Sequence, residues 1–342
     1  ILVLYFITGH VDGNYTFDYF AIVAMFEESA ATKWIMVGFL AAFLVKLPAI
    51  PLHNWLPDAH TQAPTAGSIV LAGLLLKTGA YGLIRFIVPL FPEASQAFAP
   101  IAIVVGIIGI LYGAKLAFAQ TDLKRMVAYT SISHMGFVLL GVFVFQPMAL
   151  KGAFIQIITH GISTGALFMI AGALQDRLHT RDIRKMGGFW NTAPRMGGIT
   201  LVFLLASLGL PGLGNFVAEF LILAGAFQVN VVASIIATLG LIASAIYGLY
   251  LMQKVFFGTK PDKQLQLKDF NVREMVAGLS LVIIIVWIGL FPGIFLKIMD
   301  GQTEYKQHPE EFMQTKSDNK YQPTGESSAE IIPVTRKKQK PE

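Results

Sequence analysis

The sequence predicts an all-α polytopic membrane protein, and three observations carry that prediction. Of 342 residues, 54% are hydrophobic and only 14% are charged, with a mean hydropathy of +0.61. Soluble domains carry about 25% charged residues, so this chain lacks the polar surface that water requires. Apolar stretches of about 20 residues, the length that spans a bilayer, recur along it. The loops between them alternate in charge, which is the signature of successive crossings.

The elements follow in order. Residues 1–9 open Ile1-Leu-Val-Leu-Tyr-Phe, without Met or the charged n-region of a signal peptide. They read as the end of a transmembrane helix, so an N-terminal part is expected before them. A polar external loop is expected at 10–32. Helices follow at 33–56, 67–90, 97–118, 126–145, 149–175, 197–228, 231–257 and 273–298. The first is expected to break at Pro48 and Pro51, and the one at 197–228 at Leu210-Pro-Gly-Leu-Gly-Asn215. Proline removes a backbone donor, so freed carbonyls must find side chains or water. The stretch 301–342 is rich in Lys, Gln, Ser, Pro and Glu without apolar periodicity and is expected to be a disordered tail.

Sidedness comes from the loops. Those at 119–125, 176–196 and 258–272 carry Lys124, Arg125, Arg177, Arg181, Arg184, Lys185, Arg195, Lys260, Lys263 and Lys268. The opposite loops carry Asp12, Asp18, Glu27, Glu28 and Glu93, or no charge at all at 229–230. The positive-inside rule makes the basic face cytoplasmic and puts the tail outside.

Several function classes are excluded. The chain has no cysteine, which removes iron–sulfur, c-type haem and Cys-zinc sites from it. It has no Walker A loop, glycine-rich dinucleotide turn or nucleophile elbow. His53 and His60 flank Asp58, but Pro57 and the helix break favour packing and helix-end hydrogen bonding over a metal site.

The informative residues are ionisable groups inside apolar helices. A charge at the bilayer centre costs at least ~2.5–3.5 kcal/mol, so such residues face a protein interior or water. Lys46 and Lys77 sit near the middle of the first two complete helices. His134 and His160 are central in 126–145 and 149–175, and Glu219 follows the second break. Lys115 and Tyr112 are weaker candidates in the helix between. Each alone has a structural reading: a histidine bonding a neighbouring helix, or a static ion pair. Five at one depth are explained together by a shared hydrated axis that carries protons, with histidine titrating nearest neutrality. Helices pack about 8–10 Å apart, so waters and hydroxyls such as Ser131, Ser133, Thr159 and Ser163 are expected to fill the gaps.

At these residues the chain resembles the antiporter-like subunits of respiratory complex I and of Mrp cation/proton antiporters. The resemblance lies in Phe43-Leu-Val-Lys-Leu-Pro, Trp55-Leu-Pro-Asp-Ala-His-Thr-Gln-Ala-Pro, Leu74-Leu-Leu-Lys-Thr-Gly, Tyr129-Thr-Ser-Ile-Ser-His and Pro211-Gly-Leu-Gly-Asn-Phe-Val-Ala-Glu219. It covers about 1–298. It implies an antiporter-like fold with inverted five-helix repeats and broken helices, of which this chain holds the last eight, 7–14. On that reading 33–90 ends the first repeat, 97–257 is the second, and 273–298 is the final helix.

The resemblance also assigns roles. Lys46 is the charge-modulated carrier, Lys77, His134 and His160 the relay, and Glu219 the terminal acid. An acid at 219 is similar to the M-type subunits of bacterial NADH:quinone oxidoreductase, whereas sister subunits and Mrp antiporters look to carry lysine there. A glutamate partner for Lys46 is expected in the preceding part. The implied function is proton translocation in the bacterial inner membrane, driven by quinone reduction elsewhere in the complex. The implied partners are other membrane subunits, including sister antiporter-like chains, with NADH, FMN, iron–sulfur clusters and quinone on partner subunits. The competing readings are a Na⁺/H⁺ antiporter subunit and a scaffold whose polar axis is structural.

Overall fold

The computed structural model describes residues 17, 19, 22, 23, 30–259 and 267–298. The expected helix end at 1–9, most of the loop at 10–32 and the tail at 301–342 lie outside the described residues, as do Lys260 and Lys263. Among the described residues every regular element is helical. We number them α1 (Ala30–Lys46), α2 (Trp55–Gln62), α3 (Thr65–Leu90), α4 (Pro92–Phe118) and α5 (Leu123–Phe143). They continue with α6 (Pro147–Leu178), α7 (Pro194–Ser207), α8 (Gly214–Val229), α9 (Val231–Phe257) and α10 (Val272–Leu290). Six of these, α3 to α6, α9 and α10, are long and apolar enough to cross a membrane. The shorter α7 and α8 flank the second break.

The starts of the helices are written in the sequence. Asp122 caps α5 by accepting from the Arg125 amide at 3.1 Å, and Asn230 caps α9 through the Ala233 amide at 2.9 Å. Asn271 and Glu274 form a reciprocal capping box on α10. Pro92, Pro147 and Pro194 open α4, α6 and α7, where a missing N–H costs nothing. The last helix departs from expectation. α10 stops at Leu290, Phe291 leaves helical geometry before Pro292, and a short turn of helix resumes at 293–298. A proline disfavours helical conformation in the residue before it, so the Phe-Pro pair divides the stretch.

The first break runs from Leu47 to Asn54. The Ala49 amide reaches past Val45 to the Leu44 carbonyl at 2.9 Å, and the freed Val45 carbonyl accepts from the Trp55 indole at 2.9 Å. The second break, 208–213, turns on Gly209 and Gly212, both at positive φ. α5 is buried along its whole length at the centre of the bundle, packed between α4, α6, α2 and α8. α10 lies at the edge, with Val276, Leu279, Ile283 and Trp287 exposed.

The ends of the bundle differ in chemistry. At one end Thr121–Leu123 pairs with Arg181–Ile183 through two backbone hydrogen bonds. The buried Lys124 ammonium donates to the Ala63 carbonyl at 3.1 Å, and Arg181 donates to the Thr61 carbonyl while pairing with Asp122 at 3.0 Å. Arg125 pairs with Asp58 at 2.6 Å and Arg177 with Glu274 at 2.7 Å, while Asp269 accepts from the Arg195 and Met196 amides. The loops expected on the basic face therefore meet at one end. At the other, Gln146 donates to Gln228 at 2.5 Å.

Candidate functional site

Four of the five sequence-predicted residues converge inside the bundle. Lys77, His134, His160 and Glu219 are 8%, 2%, 0% and 2% exposed. Lys77 follows a π-helical turn, Leu71–Leu75, within α3. Such turns disturb the regular carbonyl ladder and recur at functional sites. Here the Ala72 carbonyl accepts from the Lys77 ammonium. The same ammonium lies 2.7 Å from His160 Nδ1 on α6. As an ammonium Lys77 has only donors, so His160 Nδ1 is the acceptor and its own proton sits on Nε2.

The His160 and His134 rings lie 5.5 Å apart between centroids, and no hydrogen bond joins them among the described residues. Beyond this gap His134 Nδ1 faces Glu219 Oε1 at 2.9 Å. Gln156, one turn before His160, donates to Glu219 Oε1 at 3.0 Å and lies 3.4 Å from His134 Nδ1. A Cβ on Gly209 would lie 3.1 Å from Glu219 Oε2, a tight contact with the carboxylate. The glycine that makes the second break thus also makes room for the carboxylate.

Buried atoms without a protein partner mark the same axis: His160 Nε2, Gln156 Oε1, Asn215 Oδ1 and Glu219 Oε2. Buried polar groups of this kind are satisfied by ordered water. Asn215, from the second break, donates to Ser163 at 3.2 Å. The arrangement provides two short proton-sharing contacts, Lys77–His160 and His134–Glu219, separated by one polar gap.

Lys46 departs from expectation. It is the last residue of α1, exposed, and outside this network. The expected break at Pro48 and Pro51 follows it directly, and its backbone packs beside Gly79 of α3, while its side chain does not reach the network. Lys115 and Tyr112 also face outward from α4. The expected bridging hydroxyls differ too: Ser131 and Thr159 donate to their own helices and Ser133 to the Ile110 carbonyl. Sequence reasoning missed Ser207 at the end of α7, whose hydroxyl lies 2.9 Å from His134 Nε2, and Tyr247 on α9, 3.3 Å from the same nitrogen. The one signal for Ser207 is its place immediately before the break. His60 stacks on Phe168 with 4.2 Å between centroids, and His53 sits edge-on to Tyr112 at 5.8 Å. With Asp58 turned to Arg125, these three do not converge on a common point.

Comparison with known proteins identifies the family and the fold. Residues 1–246 match the family described as "NADH:quinone oxidoreductase/Mrp antiporter, TM". Over 299 residues the chain is 52% identical to NADH-quinone oxidoreductase subunit M of Pseudomonas aeruginosa, covering 87% of this chain and 58% of that protein. It is 49% identical over 295 residues to subunit M of Escherichia coli, covering 85% and 58%. The chain thus spans about three-fifths of the length of these relatives. Among solved structures, a chain of respiratory complex I from Thermus thermophilus superposes with a TM-score of 0.82 at 34% identity, covering 92% of this chain and 65% of that one. The Mrp complex of Dietzia superposes at 0.80 with 19% identity, covering 92% and 66%, a likeness of fold alone. The chain belongs to the NADH:quinone oxidoreductase/Mrp antiporter transmembrane family.

Proposed function

We propose that this chain carries the proton path of a membrane subunit of NADH:quinone oxidoreductase. The observation that carries the reading is the buried series Lys77–His160–His134–Glu219, with short contacts at both ends. A lysine and a histidine 2.7 Å apart exchange one proton readily, and so do an imidazole and a carboxylate at 2.9 Å. The gap between the imidazoles divides the path, so a proton crosses only when water or a side-chain movement closes it. Moving a proton against 100 mV costs about 2.3 kcal/mol, which the redox reaction on other subunits supplies. NADH, FMN, iron–sulfur clusters and quinone belong on those partners, and sister antiporter-like chains flank this one. We assign Lys46 to the entry of the path on the strength of its motif, Phe43-Leu-Val-Lys-Leu-Pro.

The relatives named subunit M support the redox-linked reading, whereas the Mrp likeness supports only the fold. The basic end is assigned to the cytoplasm of a bacterium, which puts the chain after α10 on the external side. The test is Glu219→Gln in the full-length subunit within the assembled complex. Glutamine keeps the volume and the acceptor facing His134 but cannot titrate. Proton translocation coupled to NADH oxidation is expected to fall ~tenfold or more, the scale of losing a positioned proton acceptor. Unchanged translocation with normal assembly overturns the reading in favour of a scaffold.

A further inference from the structure

Glu219 meets only one nitrogen of His134. The other, Nε2, faces α7 and α9. Two hydroxyls meet it there: Ser207 Oγ at 2.9 Å and Tyr247 Oη at 3.3 Å. Ser207 is 3% exposed and Tyr247 1%, so solvent does not substitute for either. Neither belongs to the proton path described above.

We infer that Ser207 and Tyr247 are positioning residues that set the tautomer of His134 and let it hold a second proton without turning. These roles rest on the proposed proton path and follow from which atoms donate and which accept. When Glu219 is ionised it only accepts, so His134 Nδ1 carries the hydrogen and Nε2 is bare. A bare buried nitrogen needs a donor, and a hydroxyl of the pair donates. When His134 takes up a proton, both nitrogens become donors. Nδ1–H still points to Glu219, and the new Nε2–H points to Ser207 Oγ, whose own hydrogen rotates away. Serine and tyrosine hydroxyls both donate and accept, so the pair serves both charge states of the ring. An ammonium at this place could serve only the neutral ring, and a carboxylate would favour the protonated one. Three other polar groups face the ring: Glu219, Gln156 and, across the 5.5 Å gap, His160. None of them lies within hydrogen-bonding distance of Nε2, so the pair alone governs that nitrogen.

The test uses the assembled, membrane-embedded complex with the single variants Ser207→Ala and Tyr247→Phe, their double variant, and Ser207→Thr. The expected result is a several-fold loss of proton translocation in the double variant, a smaller loss in each single, and recovery in Ser207→Thr, which keeps a hydroxyl. The solvent deuterium isotope effect on translocation is expected to rise in the double variant, because the proton step becomes slower than the others. A packing defect moves the rate without moving the isotope effect. If the double variant assembles and translocates at the wild-type rate, or loses rate with an unchanged isotope effect, the inference is overturned. Glu219→Gln in the same preparation separates the two proposals. A loss there with a wild-type double variant sinks the tautomer role alone, and wild-type translocation in Glu219→Gln sinks both.

Discussion

At the scale of single residues, Lys77 is where fold and function meet most directly. Its ammonium satisfies the Ala72 carbonyl and His160 Nδ1 at once, directly after the apolar run 69–76 of α3. Lys77→Met keeps most of the stem and removes the charge, leaving two buried acceptors without a donor. Each such orphan costs about 1–3 kcal/mol, so thermal unfolding of the solubilised full-length subunit should shift downward. Coupled proton translocation should fall ~tenfold or more, as for loss of a positioned proton donor. A variant that keeps both the melting temperature and translocation contradicts the contact. Lys77, His134, His160 and Glu219 were legible in the sequence because a titratable group in an apolar helix must be compensated somewhere. Ser207 and Tyr247 were not, since a hydroxyl in a membrane helix satisfies itself on its own backbone as readily as on a neighbour, as Ser131 and Thr159 do. Lys46 lies beside Gly79, two residues after Lys77, but its side chain is exposed, and sequence alone does not show which way a side chain at a helix break turns.

At the scale of elements, the path depends on how closely α3 and α6 approach. A Cβ on Gly161 would lie 2.9 Å from the Gly73 carbonyl and 3.4 Å from the Lys77 side chain. Helix propensity alone favours alanine over glycine by roughly 0.5–1 kcal/mol. The steric term opposes it by typically 1–3 kcal/mol, because the nearer neighbour is backbone. Gly161→Ala should therefore destabilise by about 1 kcal/mol in thermal unfolding and weaken proton transfer by lengthening the Lys77–His160 contact. Stabilisation would show that the helices yield freely.

The loop at 176–196 carries a second expectation. The Arg184 guanidinium lowers the Asp182 carboxyl to about 2 from its ordinary 3.8. A lowered carboxyl contributes its full share above its ordinary value and loses it as pH falls toward about 2. Hydrogen exchange at the Arg184 amide, which donates to Asp182 at 3.0 Å, should stay slow down to about pH 4 and quicken below it. Arg184→Ala should leave the upper end of that window in place and raise its lower end, because the carboxyl then returns toward its ordinary value. Both helix breaks were legible through Pro and Gly. The π turns at Leu71–Leu75, Leu83–Ile87 and Gln253–Phe257 were not, because one extra residue in a turn leaves apolar composition unchanged.

At the scale of the whole molecule, the two ends of the bundle define its orientation. Lys124, Arg125, Arg177, Arg181 and Arg195 gather with the loops of α2, α5, α6 and α10 at one end, and Gln146 meets Gln228 at the other. That clustering was legible from charge alternation, because loops on one side of a membrane share a translocation constraint whatever their sequence. The partner of each basic residue was not, since the pairs join segments as far apart as Arg177 and Glu274. The orientation is open to direct measurement in a cysteine-free background of the full-length subunit, to which these 342 residues contribute no cysteine. Lys185 and Gln228 are exposed at opposite ends, and Lys185 forms no ion pair among the described residues. In the full-length subunit, Lys185→Cys should react with a membrane-impermeant maleimide in inverted vesicles and stay protected in right-side-out spheroplasts. Gln228→Cys should show the reverse. Reaction of both from the same side would refute the crossing count between α6 and α8, and a swapped pattern would place the basic end outside.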